Sequence, residues 1–183
     1  MVTIRRGFLW AACTAAGFPL LAGCGILNTG TGSTPTLMSV GSEAFGPTTL
    51  PAAFTCHAGK AVVTPPVDWS GAPADTKSFA LVVDDASAPI SPYIYWVVYN
   101  ISPASSDIEQ GLLPPGARQA PNSAGTARYD PPCPRGSAHK YRFTVYALSS
   151  MLSLPAGASL PDAWEAIAAA SIDYGRISVT ANP

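Results

Sequence analysis

Nineteen prolines and sixteen glycines, scattered along 183 residues, limit this chain more than any other feature. Proline inside a helix removes a hydrogen bond and clashes with the preceding turn, and glycine costs backbone entropy in any regular element. At this density they argue against long helices and for many turns joining short strands. No repeat of fixed period is visible. The composition is otherwise that of a folded protein, with 48% apolar and 11% charged residues. The length suits one domain with some residues left over. Net formal charge is −1 and no basic cluster stands out, so nucleic acid is not expected as a partner.

The leftover residues lie at the amino end. "MVTIRRGFLWAACTAAGFPLLAGCG" sets Arg5 and Arg6 before an apolar run and then small residues, the layout of an export signal. The run is short for a membrane span. Leu21-Ala22-Gly23-Cys24 resembles the lipobox of bacterial lipoproteins, which implies cleavage before Cys24 and lipid on that sulfur and on the new amino terminus. Arg5-Arg6-Gly7-Phe8-Leu9 also resembles the twin-arginine export pattern. The expected organisation is a signal peptide at 1–23, a lipidated Cys24 with a flexible Gly/Ser/Thr-rich tether at 24–36, and a domain at 37–183. Cys24 then anchors the domain to the bilayer of a bacterial envelope, outside the cytoplasm. The alternative is an uncleaved amino-terminal anchor. Once Cys13 is removed and Cys24 lipidated, Cys56 and Cys133 remain, and two cysteines in an exported domain suggest one disulfide. Two separate buried thiols are the alternative.

Within the domain, "SFALVVDD" (78–85) reads as a strand with Phe79, Leu81, Val83 and Asp85 on one face. "YIYWVVYNI" (93–101) is apolar on both faces and belongs in the middle of a sheet. "HKYRFTVYAL" (139–148) alternates, with His139, Tyr141, Phe143 and Val145 on one side and Lys140, Arg142 and Thr144 on the other. "RISVT" (176–180) is a final strand, and "PDAWEAIAAAS" (161–171) is the one good helix, its alanines a packing face. The rest reads as loop, with a long stretch at 102–138 of the kind that is usually functional or ordered by packing. This pattern predicts a mainly β, sandwich-like domain with Greek-key connections.

The same periodicity puts His139 and Tyr141 side by side at the mouth of a strand. Asp85 ends another strand and Tyr95 begins a third. If these strands are neighbours, four polar groups converge at one end of a sheet, beside the stiff segment Pro131-Pro132-Cys133-Pro134. No Gly-x-Ser-x-Gly elbow, His-Glu-x-x-His, Cys-x-x-Cys or phosphate loop is present. With two histidines and no ligand spacing, no metal site, no cofactor and no catalysis are expected. His57, in the turn-like "CHAGK", reads as solvated.

Several of these stretches, in order, resemble the phosphatidylethanolamine-binding protein family, also called Raf kinase inhibitor-like proteins, in its bacterial branch. They are "TC" at 55–56 with "PPVDWSGAP" at 65–73, "LVVDDASAP" at 81–89, "YWVVYNI" at 95–101 and "PPCPRGSAHKYRFTVYAL" at 131–148. The resemblance covers about residues 37 to 180. It implies a two-sheet antiparallel β-fold with a few short peripheral helices, and a pocket for a small anion such as phosphate or a phospholipid head group. Carried over by position, Asp85, His139 and Tyr141 line that pocket and Pro132 and Pro134 wall it. The sequence departs from the family at Ser87, where an aspartate is usual, at Tyr95, where a histidine is usual, and at Pro131 and Arg135. Imidazole N–H and phenol O–H groups are donors suited to phosphate oxygens.

The reading is therefore a membrane-anchored lipoprotein with an anion site at Asp85, Tyr95, His139 and Tyr141, taking phosphate or phosphoethanolamine. The alternative is a module that inhibits a kinase or protease partner through the 102–138 loops, with a vestigial pocket. Hydrolysis at His139 is a weaker third.

Overall fold

A computed structural model describes residues 38–88 and 90–183. The expected signal at 1–23, the lipidated Cys24 and the tether lie outside the described residues. The elements, in chain order, are β1 (Ser39–Gly41), two short 3-10 turns (Ala52–Phe54 and Cys56–Ala61), β2 (Val67–Ser70), β3 (Ser78–Asp85), β4 (Ile94–Ile101), β5 (Asp107–Ile108), β6 (Arg118–Gln119), β7 (His139–Leu148), α1 (Leu160–Ala170) and β8 (Ser171–Ala181). All strand pairings within the sheets are antiparallel.

A large sheet runs β6-β4-β3-β7-β8 and a small one β1-β2-β5. β3, β4 and β6 follow one another across the large sheet, and β7 then returns to lie on the far side of β3. That is the Greek-key order expected from the sequence. The alternation in β3 and β7 sorts their side chains into two cores. Phe79, Leu81, Val83, Phe143 and Val145 meet Val67, Trp69 and Ile108 of the small sheet, while Ala80 and Val82 turn to the other face with Ala163 and Ile167 of α1. Phe143 and Leu81 are fully buried, and each such side chain stabilises the fold by roughly 1.5–3 kcal/mol.

α1 starts one residue before the expected Pro161, because Ser159 and Asp162 form a reciprocal cap. It ends at Ala170 and the chain passes straight into β8. β8 spans eleven residues, far longer than the expected 176–180, since it pairs with β7 along nearly its whole length. Its first half carries exposed Ile172 and Tyr174, which hid it from a search for buried strands.

The 102–138 stretch is ordered by particular side chains. The Tyr129 hydroxyl donates to the Phe54 carbonyl at 2.6 Å, and Trp96 Nε1 donates to Gln119 Oε1 at 2.6 Å. Buried Asn122 uses both ends of its amide: Nδ2 donates to the Arg128 carbonyl, and Oδ1 accepts from the Ala124 and Thr126 N–H groups. Cys56 and Cys133 form the expected disulfide across 77 residues of sequence. A loop of that length gives ~4 kcal/mol in the chain-entropy picture.

Candidate functional site

β3 and β7 pair so that Asp85 lies directly opposite Tyr141, with His139 two residues further along the same face. The side chains meet as this register requires. His139 Nδ1 lies 2.7 Å from Asp85 Oδ2. The Asp85 side chain is 5% exposed and that of His139 31%, so the carboxylate is sealed while the ring opens outward. Asp85 Oδ1 accepts the Ser87 N–H at 2.7 Å. Both carboxylate oxygens are thus engaged, which is what a buried charge demands.

Ser87, where the family pattern has an aspartate, has a definite task. Its Oγ accepts the Lys140 N–H at 2.9 Å, and the Ala86 N–H donates to the Lys140 carbonyl at 2.8 Å. The turn after β3 is tied in this way to the start of β7, and His139 is held beside Asp85.

Tyr95 reaches the same face by a different route. Val83 pairs with Trp96 but Asp84 pairs with Ile94, so Tyr95 is an extra residue in β4. Such a bulge re-aims a side chain. Strict alternation from Trp96 would turn Tyr95 to the α1 side. Instead both pack with the core between the sheets. The Tyr95 ring meets that of Tyr141 edge-on at 5.5 Å, and the His139 ring stacks near Tyr141 at 6.4 Å. Tyr93, which the sequence reading treated as packing, flanks Tyr95 at 4.6 Å and donates its hydroxyl to Asp130 Oδ2 at 2.7 Å.

The Tyr141 hydroxyl is buried and has no hydrogen-bond partner among the described residues. Burial, then the Asp85 charge, pushes this phenol up to about 12. Burial, then the neighbouring Tyr141 and Asp85, pushes Tyr95 higher still. Both hydroxyls stay protonated at neutral pH and are available as donors.

The expected wall is placed less directly. Pro132 and Pro134 are buried on either side of exposed Cys133. The contacts that hold them run to the 55–61 segment: the Cys56 N–H donates to the Pro132 carbonyl at 3.0 Å, next to the disulfide. His57 is exposed, as expected. Among the described residues no His, Cys, Asp and Glu side chains cluster to hold a metal, and no helix is long and apolar enough to cross a membrane.

Fold and site together define a β-sandwich protein with a carboxylate–imidazole–phenol cluster at one end of its central strands. The phosphatidylethanolamine-binding protein family model matches residues 41–182. A "UPF0098 protein" of Methanothermobacter thermautotrophicus is 40% identical over 123 residues, covering 64% of this chain and 80% of its own. A Mycobacterium tuberculosis protein provisionally named lipoprotein LppC is 41% identical over 130 residues, covering 70% of this chain and 63% of its own. The crystal structure of CT736 from Chlamydia trachomatis, provisionally described as a phosphatidylethanolamine-binding protein homologue, superposes with a TM-score of 0.72 at 32% identity. It covers 81% of this chain and 99% of its own. The chain belongs to the phosphatidylethanolamine-binding protein family.

Proposed function

We propose that this protein is an envelope lipoprotein, anchored through Cys24, that binds a small phosphate-bearing anion between His139, Tyr95 and Tyr141. The observation that carries the reading is the buried Tyr141 hydroxyl without a partner. Leaving a polar group buried and unpaired costs about 1–3 kcal/mol, and a ligand oxygen would recover it. Asp85 orients the rest. Its grip on Nδ1 leaves His139 Nε2 to face the ligand, and donation from Nε2 then requires the doubly protonated ring. Anion binding therefore takes up a proton. The lipoprotein name of the mycobacterial relative and the lipobox-like Leu21–Cys24 support the anchor. Nothing in the cluster supplies an activated nucleophile, so the reading is a binding module without catalysis.

The test is a titration of the chain from residue 37 onward with phosphate and with phosphoethanolamine, following the His139 ring signals by NMR in a His57→Ala background. Saturable shifts, accompanied by proton uptake in calorimetry across buffers of different ionisation enthalpy, are expected. His139 signals that stay fixed into the millimolar range would overturn the reading and move attention to a protein partner.

A further inference from the structure

The geometry points to a second, lipid-facing contact on the α1–β8 corner of the domain, made by Trp164, Tyr174 and Ile172 with Arg176 at its margin. It rests on the anchoring through Cys24 proposed above. Trp164 is 45% exposed, Tyr174 51% and Ile172 40%, a concentration of large apolar side chains in one place. The two exposed aromatic rings are linked through Tyr146. Trp164 meets it edge-on at 6.3 Å, and Tyr174, its register partner in β8, lies 6.0 Å away. Arg176 continues the row, its guanidinium 5.5 Å from the Tyr174 ring and its Nε donating to Thr144.

Trp and Tyr rings with one apolar body and one polar tip settle at the boundary between acyl chains and head groups, and an adjacent Arg reaches lipid phosphates. What selects a bilayer as the occupant is where the chain enters the domain. Gly175, beside Tyr174, is roofed by the first described residue: a Cβ there would stand 2.4 Å from the Met38 carbonyl oxygen. The lipid-bearing Cys24 is 38 − 24 = 14 residues earlier, a path of at most ~50 Å when fully extended. The tether thus joins the domain on the strand that carries the aromatic row. The anion site is at the other end of β8, where His139 pairs with Ala181. That is seven residues beyond Tyr174, or ~23 Å along the strand. Of the two ends, the aromatic one is tied close to the anchor.

Trp69 and Trp96 are buried, so among the described residues Trp164 is the exposed indole and its emission reports on this corner. The mature chain carrying its Cys24 lipid is incorporated into phosphatidylcholine vesicles containing phosphatidylcholine brominated along the acyl chains. The expected result is co-flotation with a loss of Trp emission that the surface substitution Trp164→Phe removes. Co-flotation with no bromine quenching would overturn the contact while leaving the anchor intact. Failure to float would overturn the anchor itself and the contact with it. A blue shift of Trp164 that grows with protein concentration in the absence of lipid would show that a second copy covers the row, and would also overturn the proposal.

Discussion

Asp84 and Asp85 are consecutive residues of one strand, equally buried, and each faces a basic side chain of β7. Their uses differ because the pleat sends them to opposite sides of the sheet. On the α1 side, Asp84 is gripped by Arg142, whose Nε donates to both carboxylate oxygens and whose second nitrogen also donates to Oδ2. The hydrogen bond with Asp84 raises the guanidinium's affinity for its proton further. That pair is closed: a forked donor meets a forked acceptor. On the other side, Asp85 holds one nitrogen of a ring whose other nitrogen faces out, beside a phenol with no partner. One pair is complete without a ligand, and its neighbour is arranged to be completed by one. A carboxylate's burial alone says little; the hydrogen-bonding capacity left over around it marks a site.

The largest effect that bears on this contrast is on stability. Asp84→Ala leaves Arg142 half-buried and unpaired, and should cost about 2 kcal/mol in chemical denaturation. The cost is below the ~3–5 kcal/mol of a fully buried pair because Arg142 keeps 28% of its side chain exposed. Phosphate affinity should be unchanged. Asp85→Asn should do the reverse: the ring loses the charge that holds it doubly protonated, and affinity falls by roughly tenfold or more, the worth of a hydrogen bond to a charged group. The melting temperature should move little. If both variants lose stability and affinity in equal measure, the division between the faces is wrong.

A smaller and sharper effect comes from Tyr141→Phe. Removing an unsatisfied buried hydroxyl should leave the unliganded protein as stable or up to ~1 kcal/mol more stable, while phosphate binding weakens. A loss of stability in the ligand-free variant would mean that the hydroxyl has a protein partner after all. The least effect at neutral pH concerns alkali. The Tyr141 phenol is held up to about 12 in the fold against the model value of 10.0. Its contribution is complete below pH 10, where both states hold the proton. It is lost as pH rises toward 12, where only the unfolded chain has released it. Denaturation followed from pH 9 to 12 should show a shallower decline for Tyr141→Phe than for the parent.

Much of this was legible in the residues, for identifiable reasons. Strands β3 and β7 alternate cleanly, so their faces, and the pairing of Asp85 with the His139 side, follow from period-2 reading. The helix was visible from Pro161 and the alanine stripe, although its cap lay one residue earlier, in Ser159 and Asp162. Tyr95 was less accessible. Its place in the cluster depends on a bulge, and an inserted residue reverses every face assignment that precedes it. A family resemblance suggested the position; alternation would have denied it. The small sheet escaped because β1, β5 and β6 are three residues or fewer, too short for a period to register. The roles of Asn122 and Ser87 are set by backbone groups far along the chain or across a turn, where composition carries no signal.

The ring closed by Cys56 and Cys133 holds β2 through β6 and ends six residues before β7 begins. Oxidation can therefore be finished while β3, the middle strand of the large sheet, still has a bare edge on one side. An exposed edge of that length and apolarity is a template for pairing with another chain. The covalent clasp protects the rim of the ligand site, but the last quarter of the polypeptide protects the molecule from its neighbours. A chain that lost its carboxyl-terminal strands would be cross-linked and still adhesive.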